Sequence, residues 1–210
     1  MTEVAERLAA AGVVPVVRTS TEAAARRGVA ILAEEGFDVF EITLTTPGAE
    51  SIIRDLAADP ALLIGVGTAL SADDGRRAIE AGARFVVSPA YVPGLADVCA
   101  KAGAPLALGA ATPSEALRAR AEGAAFVKVF PARELGGPGF VKALKSVFPD
   151  MAIMPTGGIG PDDLSAYFAA GAVAVGMGGD LVSDKALAAG DDGTVRAAAR
   201  AVRAALGARG

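Results

Sequence analysis

The sequence predicts an α/β fold: a single (β/α)8 TIM barrel with an extra N-terminal helix, occupying residues 1–210 as one domain. Three observations carry that expectation. Short β-type segments alternate with Ala-rich helical ones from end to end, the pattern of a parallel sheet with crossover helices. Eight such β segments can be counted, and 210 residues is enough chain for one sizeable core. Glycine also recurs at the joint between helix and strand, in Glu35-Gly36-Phe37, Ala81-Gly82-Ala83, Glu122-Gly123-Ala124 and Ala170-Gly171-Ala172. These joints are about 41 to 48 residues apart, which is two βα units of a barrel without insertions.

Taken in order, residues 2 to 10 form the N-terminal helix; their acids, and the lack of a basic region followed by an apolar block, make this a helix and not a signal peptide. No apolar run approaches the roughly 18 residues that span a bilayer, so a cytoplasmic protein without membrane contact is expected. The first strand, 13 to 18, ends in Arg18. In the second, 38 to 44, period-two alternation turns Phe40, Ile42 and Leu44 toward the helices and Val39, Glu41 and Thr43 toward the barrel axis. The third, 62 to 66, runs into Gly65-Val66-Gly67-Thr68, which lacks the third glycine of a dinucleotide fingerprint, and no glycine-rich turn leads to a P-loop Lys-Ser/Thr. An open doubly wound sheet is therefore only the runner-up. Further strands are expected at 84 to 88, 105 to 109, 125 to 130, 151 to 155 and 172 to 176, with Asp38 and Arg84 as structural charges at strand starts. The run from Asp191 to Arg209 reads as an outer helix, its acids at the positive end of the dipole and Arg196, Arg200 and Arg203 on a solvated stripe.

Composition excludes several classes of function. Net charge is −4, from 20 basic and 24 acidic residues well interspersed, so there is no footprint for nucleic acid. The lone Cys99 sits in a helical run and reads as a packing residue. Histidine is absent, which removes Ser-His and Cys-His nucleophilic machinery and His-based zinc sites. No cofactor and no metal are expected.

Lys128 stands out. It lies in Ala-Ala-Phe-Val-Lys-Val-Phe-Pro, 124 to 131, a segment that reads as a strand buried on both faces. Burying an unpaired ammonium costs several kcal/mol, and a neutral amine is a nucleophile. The plainer alternative is half of a structural ion pair. Arg18, Glu41 and Lys128 are the ionisable residues inside or at the far ends of apolar strands, and barrel active sites lie at the far ends. Lysine, carboxylate and arginine together suit imine chemistry on a keto acid: the amine condenses with the ketone, the carboxylate moves protons, and the arginine grips the substrate carboxylate.

In combination these motifs resemble the 2-keto-3-deoxy-6-phosphogluconate / 4-hydroxy-2-oxoglutarate aldolases, class I enzymes on a trimeric (β/α)8 barrel. The stretches are Val-Pro-Val-Val-Arg (14 to 18), Glu-Ile-Thr-Leu (41 to 44), Gly-Val-Gly-Thr (65 to 68), Val-Ser-Pro (87 to 89), Ala-Thr-Pro-Ser-Glu (111 to 115), Phe-Val-Lys-Val-Phe-Pro-Ala (126 to 132) and Pro-Thr-Gly-Gly-Ile (155 to 159). The resemblance implies a homotrimer acting on a small keto acid. It also implies that Lys128 is the Schiff-base lysine and Glu41 the general acid/base, that Arg18, Thr68 and Thr156 contact the pyruvyl portion, and that Pro89 and Phe130 form walls. Gly157 and Gly158, with Gly178 and Gly179, correspond to its phosphate site. Two departures stand out: Thr45 replaces a usual arginine, and Asp180 follows Gly178-Gly179 where the family has serine. An aspartate capping the helix opened by Pro161 would oppose phosphate, so an unphosphorylated or poorly bound phosphorylated substrate is expected. The competing readings are a phosphate-binding barrel isomerase or synthase, and a non-catalytic keto-acid-binding barrel.

Overall fold

The computed structural model describes residues 2–207. Seven strands form one parallel sheet: β1 (Val13–Val17), β2 (Val39–Thr43), β3 (Leu63–Gly67), β4 (Val86–Val87), β5 (Leu106–Ala110), β6 (Phe126–Val129) and β7 (Val175–Met177), in the order β6-β5-β4-β3-β2-β1-β7. Helix α1 (Glu3–Ala11) precedes β1, and α2 (Glu22–Glu34), α3 (Ala49–Leu56), α4 (Ala72–Glu80), α5 (Leu95–Ala102) and α6 (Pro113–Ala121) connect the strands in turn. After β6 come α7 (Gly137–Val147), a 3-10 turn (Pro161–Asp163) and α8 (Leu164–Ala169); after β7 come α9 (Asp184–Ala188) and α10 (Asp192–Gly207).

Local chemistry sets these boundaries. Thr21, Ser71 and Thr112 stand in extended conformation before α2, α4 and α6, and each hydroxyl accepts the backbone N–H three residues on. At the other end, Gly36, Gly82, Gly123 and Gly171 all take positive φ, and the next residue donates back across the turn: Phe37 to Leu32, Ala83 to Ala78, Ala124 to Ala119 and Ala172 to Tyr167. That bond satisfies an orphan carbonyl and reverses the chain into the following strand, which makes the glycine joints the repeating hinge of the fold.

The sheet is strongly curled. Glu41 on β2 and Lys128 on β6 are four strands apart, roughly 19 Å in a flat sheet at about 4.8 Å per strand. Their side chains nevertheless approach to 3.5 Å. Two apolar clusters follow from the curl. The outer one sets Phe40, Ile42, Ile64, Val66 and Leu108 against the helices, through Leu32, Ile52, Ile53, Leu95 and Leu144. The inner one contains Val14, Val39, Leu63, Phe85, Val87, Phe126 and Met154, and Ala5 and Leu8 of α1 pack into it. The alternation expected in β2 is thus observed, with Val39 inside and Phe40 and Ile42 outside.

The structure corrects three expectations. Among the described residues seven strands form where eight were expected: residues 151–156 make isolated bridges, Ile153 to both Val127 and Ala172, and Thr156 to Gly176. Pro155 has no N–H and interrupts the ladder, while Met154 and Thr156 donate to Val127 and Val129, and Val173 and Gly176 donate to Ile153 and Pro155. Second, the arginine stripe of α10 is not simply solvated. Arg196 pairs with Glu34 and with Glu35 (3.3 Å), Arg200 with Glu35 (3.0 Å), and Arg203 lies over the Phe37 ring, so α10 is docked on the acidic end of α2. Third, the last strand lies at 175 to 177 rather than 172 to 176. The end of the expected last helix, at Arg209, lies outside the described residues. Asp38 is structural as expected, paired with Arg7 at 2.8 Å. No helix among the described residues is long and apolar enough to cross a membrane.

Candidate active site

The site begins with what the strands leave out. Register pairs Glu41 with Gly65 and Thr43 with Gly67 across β2 and β3, and Lys128 with Gly109 across β5 and β6, while Thr156 bridges to Gly176. Four glycines therefore border the polar residues on the inner face. None has positive φ; their role is room, because a Cβ at Gly65 would fall 2.4 Å from the Phe85 ring and one at Gly67 2.0 Å from Glu41 Oε1. A Cβ at Gly109 would meet the Pro89 carbonyl at 2.0 Å, and at Gly176 it would meet Thr156 Oγ1 at 2.4 Å. Sequence reasoning gave these glycines no role, although Gly65 and Gly67, two apart in a buried strand, carried the signal of a close approach on one face.

Into this space project Glu41, fully buried, and Lys128, 4% exposed. Lys128 Nζ lies 3.5 Å from Glu41 Oε1, beyond the usual N–H···O range of about 2.7–3.2 Å. Among the described residues no protein group donates a hydrogen bond to either Glu41 oxygen. Buried ion pairs that serve stability have their remaining lone pairs satisfied. This one does not, which argues against the purely structural reading of Lys128. The Phe130 ring centroid is 5.7 Å from Nζ, so the ring walls the amine at the end of β6.

One pleat toward the strand ends lies a second pair. Val16 is in register with Glu41, and Arg18, two residues on, donates from Nη2 to Thr68 Oγ1 at 3.0 Å. Among the described residues no carboxylate pairs with Arg18, which is exposed at the rim. Thr68 holds φ of +59°, a left-handed conformation rare for a β-branched residue, the kind of local strain that clusters at functional sites. Thr156 is buried and its Oγ1 has no partner among the described residues. Pro89, half-buried at the end of β4, closes against Gly109.

Gly157 and Gly158 turn with φ of +103° and +67°, Gly157 against Phe130 and Gly158 against Arg133. The bridge from Thr156 to Gly176 sets this turn at the same end of the sheet as Gly178 and Gly179, around which space is open. The expectation that Asp180 caps the following helix turn is corrected: Asp163 Oδ2 itself accepts the Gly160 N–H at 2.8 Å and holds Arg133 at 3.3 Å. Thr45, where a cation was missed, is tied to Thr43 by hydroxyls 3.0 Å apart. Cys99 is buried in the outer cluster, and burial pushes its thiol up to about 11, which suits a packing residue. Among the described residues no three carboxylate or cysteine side chains converge on a possible metal site.

A buried amine and carboxylate, with an arginine and two hydroxyls toward the same ends of the strands, is a constellation for carbonyl chemistry. The sequence profile described as "Aldolase: KDPG and KHG aldolase" matches residues 4–198. The chain belongs to that family. A 2-dehydro-3-deoxy-phosphogluconate aldolase of Treponema pallidum is 36% identical over 200 residues, covering 94% of each chain. Its counterpart in Pseudoalteromonas atlantica is 37% identical over 174 residues, 82% of this chain and 81% of the relative. Among solved structures, the family's KDPG aldolase from Legionella pneumophila, with pyruvate captured as a covalent carbinolamine intermediate, superposes with a TM-score of 0.85 at 31% identity, covering 96% of this chain and 98% of that one.

Proposed function

We propose that the chain is a class I aldolase that cleaves a 2-keto-3-deoxy-4-hydroxy acid reversibly to pyruvate and an aldehyde, with Lys128 forming the Schiff base and Glu41 moving the protons. The carrying observation is the apposition of Lys128 and Glu41 at 3.5 Å, both buried and without the hydrogen bonds a stability pair would have.

The steps follow from the positions. Lys128 passes its ammonium proton to Glu41, the neutral Nζ adds to the C2 ketone, and the carbinolamine loses its oxygen as water when Glu41 delivers that proton. Glu41, now a carboxylate, takes the C4 hydroxyl proton; the C3–C4 pair flows into the iminium, the aldehyde leaves, and an enamine remains. Returning the proton to C3 gives the pyruvate iminium, and hydrolysis frees Lys128. A carboxylate with no fixed donor can serve these atoms in succession. Arg18 offers a two-point grip on the substrate carboxylate, oriented by Thr68, and the unpartnered Thr156 hydroxyl supplies a further donor. Reduction with borohydride in the presence of pyruvate, followed by peptide mass mapping, should place the adduct on Lys128; an unmodified Lys128 overturns the reading.

The same reading takes the sheet as a closed eight-stave barrel of one domain, with 151–156 as the eighth stave; the bonds on both sides of that segment support it. It also takes the enzyme as a cytoplasmic homotrimer, as the family resemblance implies. For the distal end of the substrate, Thr45 offers a hydroxyl where a cation was expected, and Asp163 both takes the Gly160 N–H and engages Arg133. These features support a substrate that is unphosphorylated or bound weakly through its phosphate. The relatives are named for a phosphorylated sugar acid, so kcat/KM for 2-keto-3-deoxygluconate with and without its 6-phosphate decides the matter. A preference above about a hundredfold for the phosphorylated form, about 2.7 kcal/mol, sinks it.

A further inference from the structure

Glu41 is placed by shape. Its carboxylate accepts no hydrogen bond from any described residue, and its contact to Lys128 is long. A carboxylate that must reach several atoms gains from that freedom, yet something must hold it within reach of the amine, since misplacement by about 1 Å can cost on the order of a hundredfold. The three atoms nearest to a Cβ built on Gly67 are Oε1 at 2.0 Å, Cδ at 2.6 Å and Cγ at 2.6 Å, all of Glu41. The acid therefore lies flat over the Gly67 backbone, leaning along the strand direction toward Lys128. Gly67 is buried in the middle of a paired sheet and has no positive φ, so the backbone itself admits any L-residue. A Cβ below 3 Å from another heavy atom is not tolerated, so one methyl group here must displace the acid.

We infer that Gly67 is a positioning residue for the aldol reaction: the missing Cβ is the seat of the Glu41 side chain, and it aims the carboxylate at the amine in place of a hydrogen bond. This rests on the aldolase reading above and deepens it. Gly65, one register pair lower, serves a different purpose, because the methyl it lacks would strike the Phe85 ring and not the acid.

The test is a cycle of variants at the two positions, read by steady-state cleavage and by deuterium exchange at C3 of pyruvate. Gly67→Ala should lower kcat by about a hundredfold with a much smaller change in KM. In a Glu41→Gln background, whose amide no longer transfers the proton, adding Gly67→Ala should cost almost nothing further. Losses that multiply would show that Gly67 acts independently of Glu41 and would overturn the inference. Should Gly67→Ala fail to fold, Glu41→Ala/Gly67→Ala, which restores the room, must be as stable as Glu41→Ala alone; if it is less stable, the glycine is required by the backbone and the inference falls. Borohydride trapping of pyruvate on the wild-type protein separates the two levels: no adduct removes the aldolase reading, whereas an adduct with multiplicative losses removes only the role of Gly67.

Discussion

The inner face of the curled sheet has two halves built on opposite rules. Where the strands begin, Val14, Val39, Leu63, Phe85, Phe126 and Met154 fill the space, and Ala5 and Leu8 of α1 close it. One pleat further along the same strands, Gly65, Gly109 and Gly176 withhold side chains beside Glu41, Lys128 and Thr156, and three buried oxygens have no partner among the described residues. Between β2 and β3 and between β5 and β6 the backbone ladder runs through both halves, so there the difference lies in side chains. Dense packing in one half supplies the stability that lets the other hold unpaired polar atoms poised for a substrate.

If that division is right, removing both charges of the upper half should cost reaction and not fold. Lys128→Met should lower kcat on the order of 10⁶-fold, the scale seen for loss of a covalent nucleophile. Alone it also strands a buried carboxylate, for about 3–5 kcal/mol of destabilisation. Lys128→Met/Glu41→Met removes both charges, and its thermal midpoint should return to the wild-type value or above while activity stays absent. A double variant less stable than Lys128→Met would mean that the pair is structural after all.

Next in size is Glu41→Gln, which keeps the volume over Gly67 and removes the titrating oxygen. The expected loss in kcat is about 10²–10⁴-fold, the usual range for a positioned acid/base. A comparable change in the lower half should act on the other quantity. Phe126→Ala empties a fully packed position and should cost about 3–5 kcal/mol in denaturant unfolding, with kcat per folded molecule unchanged. Should Phe126→Ala lower kcat while sparing stability, the two halves would not be separable.

The lower half was legible in the sequence because period-two alternation and glycine joints report on burial and chain reversal, both local properties. Val39 inside, Phe40 and Ile42 outside, and the positive φ at Gly36, Gly82, Gly123 and Gly171 all follow from such patterns. Lys128 and Glu41 were legible as charges out of place in apolar strands. Less visible was anything that depends on which atoms meet across the sheet. The space made by Gly65, Gly67, Gly109 and Gly176 needs register between strands far apart in the chain, and the docking of Arg196 and Arg200 on Glu34 and Glu35 needs α10 to be laid against α2. Pro155 was read as part of a strand; its missing N–H breaks the ladder to isolated bridges, an effect of one atom inside an otherwise strand-like run.

The smallest effect should divide the halves most sharply, because it should move stability and activity in opposite directions. Thr156 Oγ1 is buried without a partner and lies against Gly176, where a Cβ would come within 2.4 Å. Thr156→Val keeps the shape in that contact and exchanges only a hydroxyl for a methyl. A buried hydroxyl with no partner costs about 1–3 kcal/mol, so the valine variant should melt higher. The same hydroxyl, if it meets the substrate carboxylate, contributes about 1.5–3 kcal/mol to binding, so KM should rise roughly 10- to 100-fold with little change in kcat. A structural hydroxyl would give the reverse: a lower melting temperature with KM untouched. Both readings can be taken from one protein preparation, and the sign of the stability change alone decides whether the unpartnered oxygen is held ready for a ligand.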